Sequence, residues 1–234
     1  EFSATVMAMS RNVRHRPLIT LVIAWSVFLC GCVVAAGTLD RDRVRAYSLD
    51  RYGQQAMEPI LDWLRLIDLA RDQSRSVKLA RVNEFFNSRI RFEDDILIWE
   101  QTDYWATPLE TLVRGRGDCE DFAIAKYISL LALGIPQSRL RLIYVRAQIS
   151  GAGGSYSQAH MVLGYYADPN DEPLILDNLD GEIKHASARN DLTPVFSFNG
   201  EGLWAGGIKA NSDPTTRLSR WRDLLNRVRD EGLL

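Results

Sequence analysis

Residues 114–121 read RGRGDCED, and an apolar run, residues 122–133, follows them directly. Together these two stretches are the most informative part of this 234-residue chain. The two glycines interrupt regular structure, and Asp118 is of a residue type that caps helix N-termini. The apolar run has the composition of a buried helix, and residues 134–136 (GIP) would end it. The sequence therefore predicts a buried helix that begins beside a cysteine.

Cys119 is the only cysteine outside the apolar N-terminal segment, which makes it a candidate nucleophile. The reactive form of a thiol is the thiolate, and the partial positive charge at a helix N-terminus favours it. Asp118, Glu120 and Asp121 act in the opposite direction, because nearby anions disfavour a thiolate. A bound cation would offset these acids. An inert buried cysteine is the alternative interpretation.

Hydrophobic periodicity predicts helices before this stretch and strands after it. Helices are predicted at 59–67, 77–90 and 108–113, with a helical lead-in or linker at 38–50. Strands are predicted at 140–146, 159–167, 174–179 and 182–186, with a flexible turn at 150–157 and an amphipathic helix at 215–228. This order indicates the α+β class, with the cysteine-bearing helix packed on an antiparallel β-sheet.

The base that would take the thiol proton is predicted to be His160. The chain has three histidines, of which His15 lies in the N-terminal segment. The strand carrying His160 is the second after the cysteine helix, so this histidine can lie beside the start of the helix. His185 follows a turn on a predicted edge strand and is interpreted as structural. A strand histidine with no catalytic role is the alternative for His160.

A third group should hold the far ring nitrogen of the histidine, and Asp177 is the first candidate. It lies at the end of the next apolar strand, and adjacent antiparallel strands can place it against His160. Asn178 and Asp180 are the alternatives. An acid after a short apolar run can also be only a turn residue.

Three motifs taken together resemble the bacterial transglutaminase-like cysteine proteinases, and within them the LapG-type periplasmic proteases. They are GDCED (117–121), AHMV (159–162) and LDN (176–178), with WATP (105–108) upstream. The resemblance covers residues 50–204. It implies a papain/transglutaminase-like core and a Cys-His-Asp triad, in which Cys119 is the nucleophile, His160 the general base and acid, and Asp177 the orienting acid.

The resemblance also implies calcium beside the nucleophile, with Asp118 and Glu120 as ligands by position and Asp121 as a further candidate. Three carboxylates within four residues suit a hard cation such as Ca²⁺. The sequence contains no EF-hand loop, and one cysteine with two usable histidines does not indicate a zinc site. The alternative is that Glu120 and Asp121 only favour the helix N-terminus.

The function implied is that of a calcium-dependent cysteine endopeptidase. Such proteins cut a large surface adhesin in its N-terminal region, at a paired alanine, and thereby control biofilm dispersal. An inner-membrane receptor that senses cyclic di-GMP sequesters them. Three alternatives stay open from the residues: a transglutaminase-type acyl transferase, a cell-wall peptide amidase and a non-catalytic calcium-dependent binding module.

The N-terminal segment, residues 7–36, is predicted to be a signal peptide or a membrane anchor. Three arginines at 11, 14 and 16 precede an apolar run, residues 18–29, and small residues at 34–36 suit cleavage. Residues 29–32 (LCGC) also loosely resemble a lipidation motif. The remainder, residues 37–234, is predicted to be one periplasmic protease domain. A formal net charge of −2 gives no indication of a nucleic-acid partner.

Overall fold

The structure is a computed structural model that describes residues 39–151, 154–211 and 213–234. The predicted signal peptide or membrane anchor, residues 7–36, lies outside the described residues. Within the described ranges, no helix combines the length and the apolar character needed to cross a membrane.

Helices occupy most of the first half of the described chain and its C-terminal end. They are α1 (Arg41–Tyr52), α2 (Met57–Ala70), α3 (Arg75–Arg89), α4 (Asp95–Trp99), α5 (Pro108–Arg114), α6 (Cys119–Ala132), α7 (Pro214–Arg217) and α8 (Ser219–Asp230). The strands are β1 (Arg91–Phe92), β2 (Arg116–Gly117), β3 (Leu140–Gly151), β4 (Gly154–Tyr165), β5 (Leu174–Leu176), β6 (Lys184–His185), β7 (Leu192–Phe198), β8 (Leu203–Ala205) and β9 (Ile208–Lys209).

Strands β3 to β9 form one sheet in the order β6-β5-β4-β3-β7-β8-β9, and each neighbouring pair is antiparallel. Strands β1 and β2 form a separate short parallel pair, which fixes the chain just before α6. Helix α6 lies against β4 and β3, and its residues from Asp121 to Leu130 are all buried. The predicted α+β class, with the cysteine-bearing helix on an antiparallel sheet, is confirmed.

The two ends of α6 are set by local hydrogen bonds. At its start, Asp118 Oδ1 accepts the backbone N–H groups of Glu120 and Asp121 at 3.2 and 3.5 Å. At its end, Gly134 adopts a left-handed conformation with φ of 79°, and the N–H of Ile135 bonds to the carbonyl of Leu130. This closing pattern is a Schellman motif, which favours glycine. Local sequence therefore fixes where Cys119 stands on the helix.

The hairpin between β3 and β4 is longer than the sequence pattern predicts. The predicted flexible turn at 150–157 is wrong, because pairing continues as far as Gly151 opposite Gly154. The glycines and serines of this segment indicate a loop, but residues 154–159 continue β4 as an exposed strand. No proline interrupts the backbone hydrogen bonds, so the ladder extends beyond the part of the sheet that is covered by helices.

The region after β6 also differs from the prediction. The periodicity indicates no element at 187–214, yet β7, β8 and β9 extend the sheet beside β3. The predicted C-terminal helix is interrupted at Leu218, whose backbone is extended between α7 and α8. Helix α8 nevertheless buries one face, which carries Trp221, Leu224, Leu225 and Val228.

The C-terminal helix joins the N-terminal half of the molecule. The ring of Trp221 lies against Tyr127 of α6 and Phe198 of β7, with centroid separations of 5.6 and 5.3 Å. Just beyond α8, Glu231 accepts a hydrogen bond of 2.8 Å from the Thr107 hydroxyl, at the start of α5. The backbone N–H of Asp40 bonds to the carbonyl of Gly232 at 2.8 Å. Both ends of the described chain are thereby fixed together.

We expect Glu231→Gln to stabilise the protein at alkaline pH. Burial raises the pKa of Glu231 to about 8, although the Thr107 hydrogen bond opposes this. A carboxyl with a raised pKa contributes stability fully below its unfolded-state pKa and loses that contribution as pH rises through about 8. The Gln variant imitates the neutral acid, so its Tm should exceed that of the parent by several degrees at pH 9.

Thermal denaturation at pH 4.5 and pH 9 checks this expectation. The two proteins should have nearly equal Tm values at pH 4.5, where Glu231 is neutral in the folded protein. The matched control is Glu84→Gln, at an exposed position on α3. Its Tm should differ from that of the parent by the same amount at both pH values. A Glu231→Gln variant that loses stability equally at both pH values would contradict the assignment.

Candidate active site

Cys119 is the first residue of α6, and its side chain is partly buried. The thiol donates to Glu120 Oε2 at 2.7 Å, and the backbone N–H of Met161 in β4 favours its thiolate form. Burial, followed by the charges of Glu120 and Asp118, raises the pKa of the thiol well above its ordinary value. Protein groups alone therefore hold Cys119 as a neutral thiol.

His160 and Asp177 form a buried hydrogen-bonded pair on neighbouring strands. His160 lies in β4, opposite Val145 of β3, while Asp177 directly follows β5. Its Oδ1 lies 2.7 Å from His160 Nε2, and the two side chains are 0 and 4% exposed, respectively. The thiol of Cys119 meets β4 at the backbone N–H of Met161, the residue that follows His160.

Asp177 is ionised in this environment. Burial alone would raise its pKa, but the hydrogen bonds from His160 and Arg189 lower the pKa to about 2. The backbone N–H of Leu179 also bonds to Oδ1 at 3.1 Å, and this turn ends β5 earlier than predicted. On the helical side, Asn87 of α3 donates to the Asp177 carbonyl at 2.7 Å.

His185 and the alternative orienting residues, Asn178 and Asp180, do not join this pair. His185 is 62% exposed and lies near Glu172, at the far side of β5. Asp180 pairs with Lys184 at 2.9 Å. His15 lies outside the described residues.

Arg189 is a site residue that the sequence analysis missed. Its Nη2 lies 2.7 Å from Asp177 Oδ2, and its side chain is 3% exposed. The residue stands in a loop between β6 and β7, 12 positions after Asp177, and no local motif marks it. Only the folded arrangement of β5 and this loop brings the two side chains together.

An acidic cluster surrounds the start of α6. Oxygen atoms of Asp95, Asp118 and Asp121 lie within 4.8 Å of one another, and the same holds for one ligand atom each of Asp118, Cys119 and Glu120. Asp118, Glu120 and Asp121 were the predicted ligands. Asp95, at the start of α4, was not predicted, because it is separated from them by more than 20 residues.

The cluster has unused oxygen atoms. Asp95 Oδ2 accepts from the N–H of Tyr104 and Asp121 Oδ1 from the N–H of Ala106, at 2.5 and 2.8 Å. The second oxygen of each, Asp95 Oδ1 and Asp121 Oδ2, is buried without a hydrogen-bond partner. Such orphaned carboxylate oxygens fit a hard cation that prefers oxygen ligands.

Burial and mutual repulsion disfavour ionisation of these acids. The pKa of Asp118 is raised to about 10, by burial and then by the charges of Glu120 and Asp121. Burial raises the pKa of Asp95 to about 6 and that of Asp121 well above its ordinary value. A cation among them would reverse this effect, and would also reduce the repulsion that opposes a Cys119 thiolate.

Gly117 allows this cluster to form. A Cβ atom at this position would stand 2.8 Å from both Cβ and Oδ2 of Asp121. Any side chain at residue 117 would therefore displace the carboxylate from its place beside Asp118. This close approach explains the glycine that directly precedes the helix cap.

Comparison with known proteins identifies the family of this fold and site. The family model of the bacterial transglutaminase-like cysteine proteinases (BTLCP) matches residues 62–191. A solved structure of Legionella pneumophila LapG has 38% sequence identity and a TM-score of 0.68, over 82% of this chain and 98% of that chain. No curated protein sequence matches the chain at a significant level.

Two further structures of the same Legionella pneumophila protein differ in their calcium treatment. The calcium-bound form has 40% identity and a TM-score of 0.68, over 80% of this chain and 98% of that chain. The EGTA-treated form has 38% identity and a TM-score of 0.69, over 82% and 98%. The family model matches more than half of the chain, and the likeness extends over nearly the whole length of the solved chains. The protein therefore belongs to the bacterial transglutaminase-like cysteine proteinases.

Proposed function

We propose that the protein is a calcium-dependent cysteine endopeptidase that acts through Cys119, His160 and Asp177. The observation that carries the proposal is the buried 2.7 Å pair of His160 Nε2 and Asp177 Oδ1, on the strands next to the helix that begins with Cys119. Membership of a cysteine proteinase family supports hydrolysis of a peptide bond.

The hydrogen bond to Asp177 assigns the roles of the two imidazole nitrogens. An ionised carboxylate accepts only, so His160 Nε2 carries the proton and Nδ1 keeps its lone pair. Nδ1 is then the atom that takes the proton from the thiol. After attack on the scissile carbonyl carbon, the same nitrogen returns the proton to the leaving amine, and water hydrolyses the thioester.

The start of α6 supplies a donor for the oxyanion. The first N–H groups of a helix have no acceptor within the helix. Asp118 accepts hydrogen bonds from the N–H groups of Glu120 and Asp121, so the N–H of Cys119 is left to face the substrate. A backbone donor fixed in this way stabilises the developing negative charge without reorganising.

Asp95, Asp118 and Asp121, together with Glu120 beside the thiol, are the residues that would hold calcium. A bound Ca²⁺ would supply positive charge that keeps these carboxylates ionised and lowers the pKa of the thiol. The unpartnered oxygens of Asp95 and Asp121 support this role, as do the calcium-bound and EGTA-treated structures of the Legionella pneumophila protein.

For the substrate, we propose the N-terminal region of a large surface adhesin, cut at a paired alanine, so that cleavage releases biofilm cells. For the location, we propose the periplasm, on the basis of the arginines and the apolar run within residues 7–36. For regulation, we propose sequestration by an inner-membrane receptor that senses cyclic di-GMP. These three proposals rest on the sequence motifs and on the family.

His160→Ala is expected to lower kcat by about 10²- to 10⁴-fold, because the thiol loses its general base. Cys119→Ala should abolish turnover. The matched control is His185→Ala, which removes the exposed histidine and should leave kcat unchanged. Cleavage of the adhesin segment, followed by gel electrophoresis and mass spectrometry, gives the readout. Full activity in His160→Ala would refute the triad.

Asp95→Asn is expected to weaken calcium binding, because it removes one ionised carboxylate from the cluster. Asp94→Asn is the control, since this neighbour is exposed and outside the cluster. Calorimetry should also detect proton release on binding at pH 7, because the raised pKa values of Asp118 and Asp121 leave protons for the cation to displace. Equal calcium affinity in both variants would exclude Asp95 from the site.

The adhesin proposal predicts a single calcium-dependent cut in the N-terminal region of an adhesin from the same genome. The cut should disappear with chelator, with Cys119→Ala, and when the paired alanine of the substrate is replaced by bulky residues. Fragment masses locate the cut. Incorporation of a labelled amine without cleavage would indicate acyl transfer instead, and release of wall peptides would indicate an amidase.

A further inference from the structure

A buried arginine stands behind the histidine–aspartate pair, on the side away from the imidazole. Asp177 Oδ1 accepts from His160, whereas Oδ2 lies 2.7 Å from Arg189 Nη2. The carboxylate is thus held at both oxygens by different elements of the fold. All three side chains are at most 4% exposed, so water does not compete for these bonds.

Arg189 is itself held in a fixed orientation. Its Nε and Nη2 bond to the two carboxylate oxygens of Asp191, at 2.9 and 2.7 Å. The Asp191 carbonyl accepts the N–H of Gln148 at the end of β3, and the N–H of Leu192 bonds back to the Arg189 carbonyl. These hydrogen bonds hold the guanidinium against the sheet independently of its contact with Asp177.

The hydrogen bonds that Arg189 makes require the planar set of N–H donors that a guanidinium group provides. Two nitrogens bind Asp191 in a bidentate manner, and one of them also reaches Asp177. A lysine ammonium could keep the charge, but it has no planar fork with which to hold one carboxylate while it orients another.

Besides Arg189 and its partner Asp191, a charged group from α6 also faces Asp177. Lys126 is fully buried and has no hydrogen-bond partner for its ammonium within the described residues, and its charge interacts with that of Asp177. Burial lowers the pKa of Lys126 to about 7, so its charge is partial near neutral pH, and without a hydrogen bond it cannot set the plane of the Asp177 carboxylate. Arg189 is the cation that contacts that carboxylate directly.

We propose that Arg189 is a positioning residue, which holds the Asp177 carboxylate in the orientation that presents Oδ1 to His160 Nε2. The inference rests on the proposed function, because it assigns Arg189 a role in orienting the proposed base. Without Arg189, Oδ2 would be a buried anionic oxygen without a partner, and the carboxylate could rotate away from the imidazole. Misplacement of this kind by about 1 Å lowers turnover by roughly 100-fold.

Arg189→Ala is therefore expected to lower kcat by about 10- to 100-fold and to leave KM within about twofold. Loss of the positive charge should also favour the imidazolium, and because a general base acts only when it is neutral, the acid limb of the pH profile of kcat/KM should move to higher pH. Arg189→Lys separates the two effects: its acid limb should match that of the parent, while kcat stays reduced because the fork is absent.

The matched control is Arg141→Ala. Arg141 and Arg189 both line a cavity of about 340 Å³ on the sheet. Arg141, however, packs between the rings of Tyr166 and Trp204, at 4.4 and 4.0 Å from their centroids. Its removal enlarges the same cavity without changing the partners of Asp177, so kcat and the pH profile should stay at the parent values.

The experiment measures peptide cleavage and, separately, the rate at which iodoacetamide alkylates Cys119 at pH 7, on calcium-loaded protein. Arg189→Ala should lower this rate by about 10-fold or more, because a displaced His160 no longer takes the thiol proton. Alkylation needs no substrate, so the two readouts distinguish the inference from the proposed function. If the parent protein cleaves nothing but Arg189→Ala slows the alkylation of Cys119, the positioning role stands and the proposed function fails.

Two results would overturn the inference. One is a parent-like kcat and a parent-like alkylation rate in Arg189→Ala, even if its Tm falls, because a purely structural arginine would behave in this way. The other is full kcat in Arg189→Lys, which would reduce the role of the side chain to its charge. If Arg189→Ala does not fold, Arg189→Lys decides the question by itself.

Discussion

The side chain of Asp118 is the constraint on which the rest of the site depends. It caps α6 and thereby determines that Cys119 is the first residue of the helix. The same carboxylate belongs to both acidic groups that surround the thiol. The helix cap, the acidic cluster and the candidate nucleophile are therefore not separable features. A change that moves this one carboxylate alters the helix start, the oxygen cluster and the thiol environment together.

The pKa values of two buried acids, Asp177 and Asp118, are shifted in opposite directions. Asp177 receives hydrogen bonds from His160, Arg189 and the Leu179 N–H, and its pKa falls to about 2. The pKa of Asp118 instead rises to about 10, because burial and neighbouring carboxylates act together on it. The protein thus provides the counter-charge for Asp177 from its own side chains. At the helix start, an added cation would have to provide it.

Local patterns in the sequence predict what local forces determine. The Asp118 cap, the apolar run of α6 and the glycine that ends it are all read correctly from neighbouring residues. The strand periodicity predicts β4, which carries His160, and β5, which ends one residue before Asp177, although neither predicted boundary is exact. The family motifs supply the assignment of roles, which remains a prediction for each residue.

Tertiary contacts determine what the sequence does not predict. Asp95 and Arg189 carry no local signal, since an acid before a short apolar stretch and an arginine in a loop are both common. They become site residues only because α4 lies beside the start of α6, and because the loop before β7 packs behind β5. The long β3–β4 ribbon was missed for a different reason, because glycine and serine indicate a turn wherever backbone pairing does not override them.

The position of α8 has a consequence for the order in which the molecule can form. Trp221 fills the space between α6 and β7, while residues 230–232 hold the start of α1 and the cap of α5. A chain synthesised only as far as β9 therefore lacks one wall of its core, and α1 lacks the partner that fixes it. Contacts between residues almost 190 positions apart must close before the fold is complete. Such long-range closure delays folding until residues 230–232 have been synthesised.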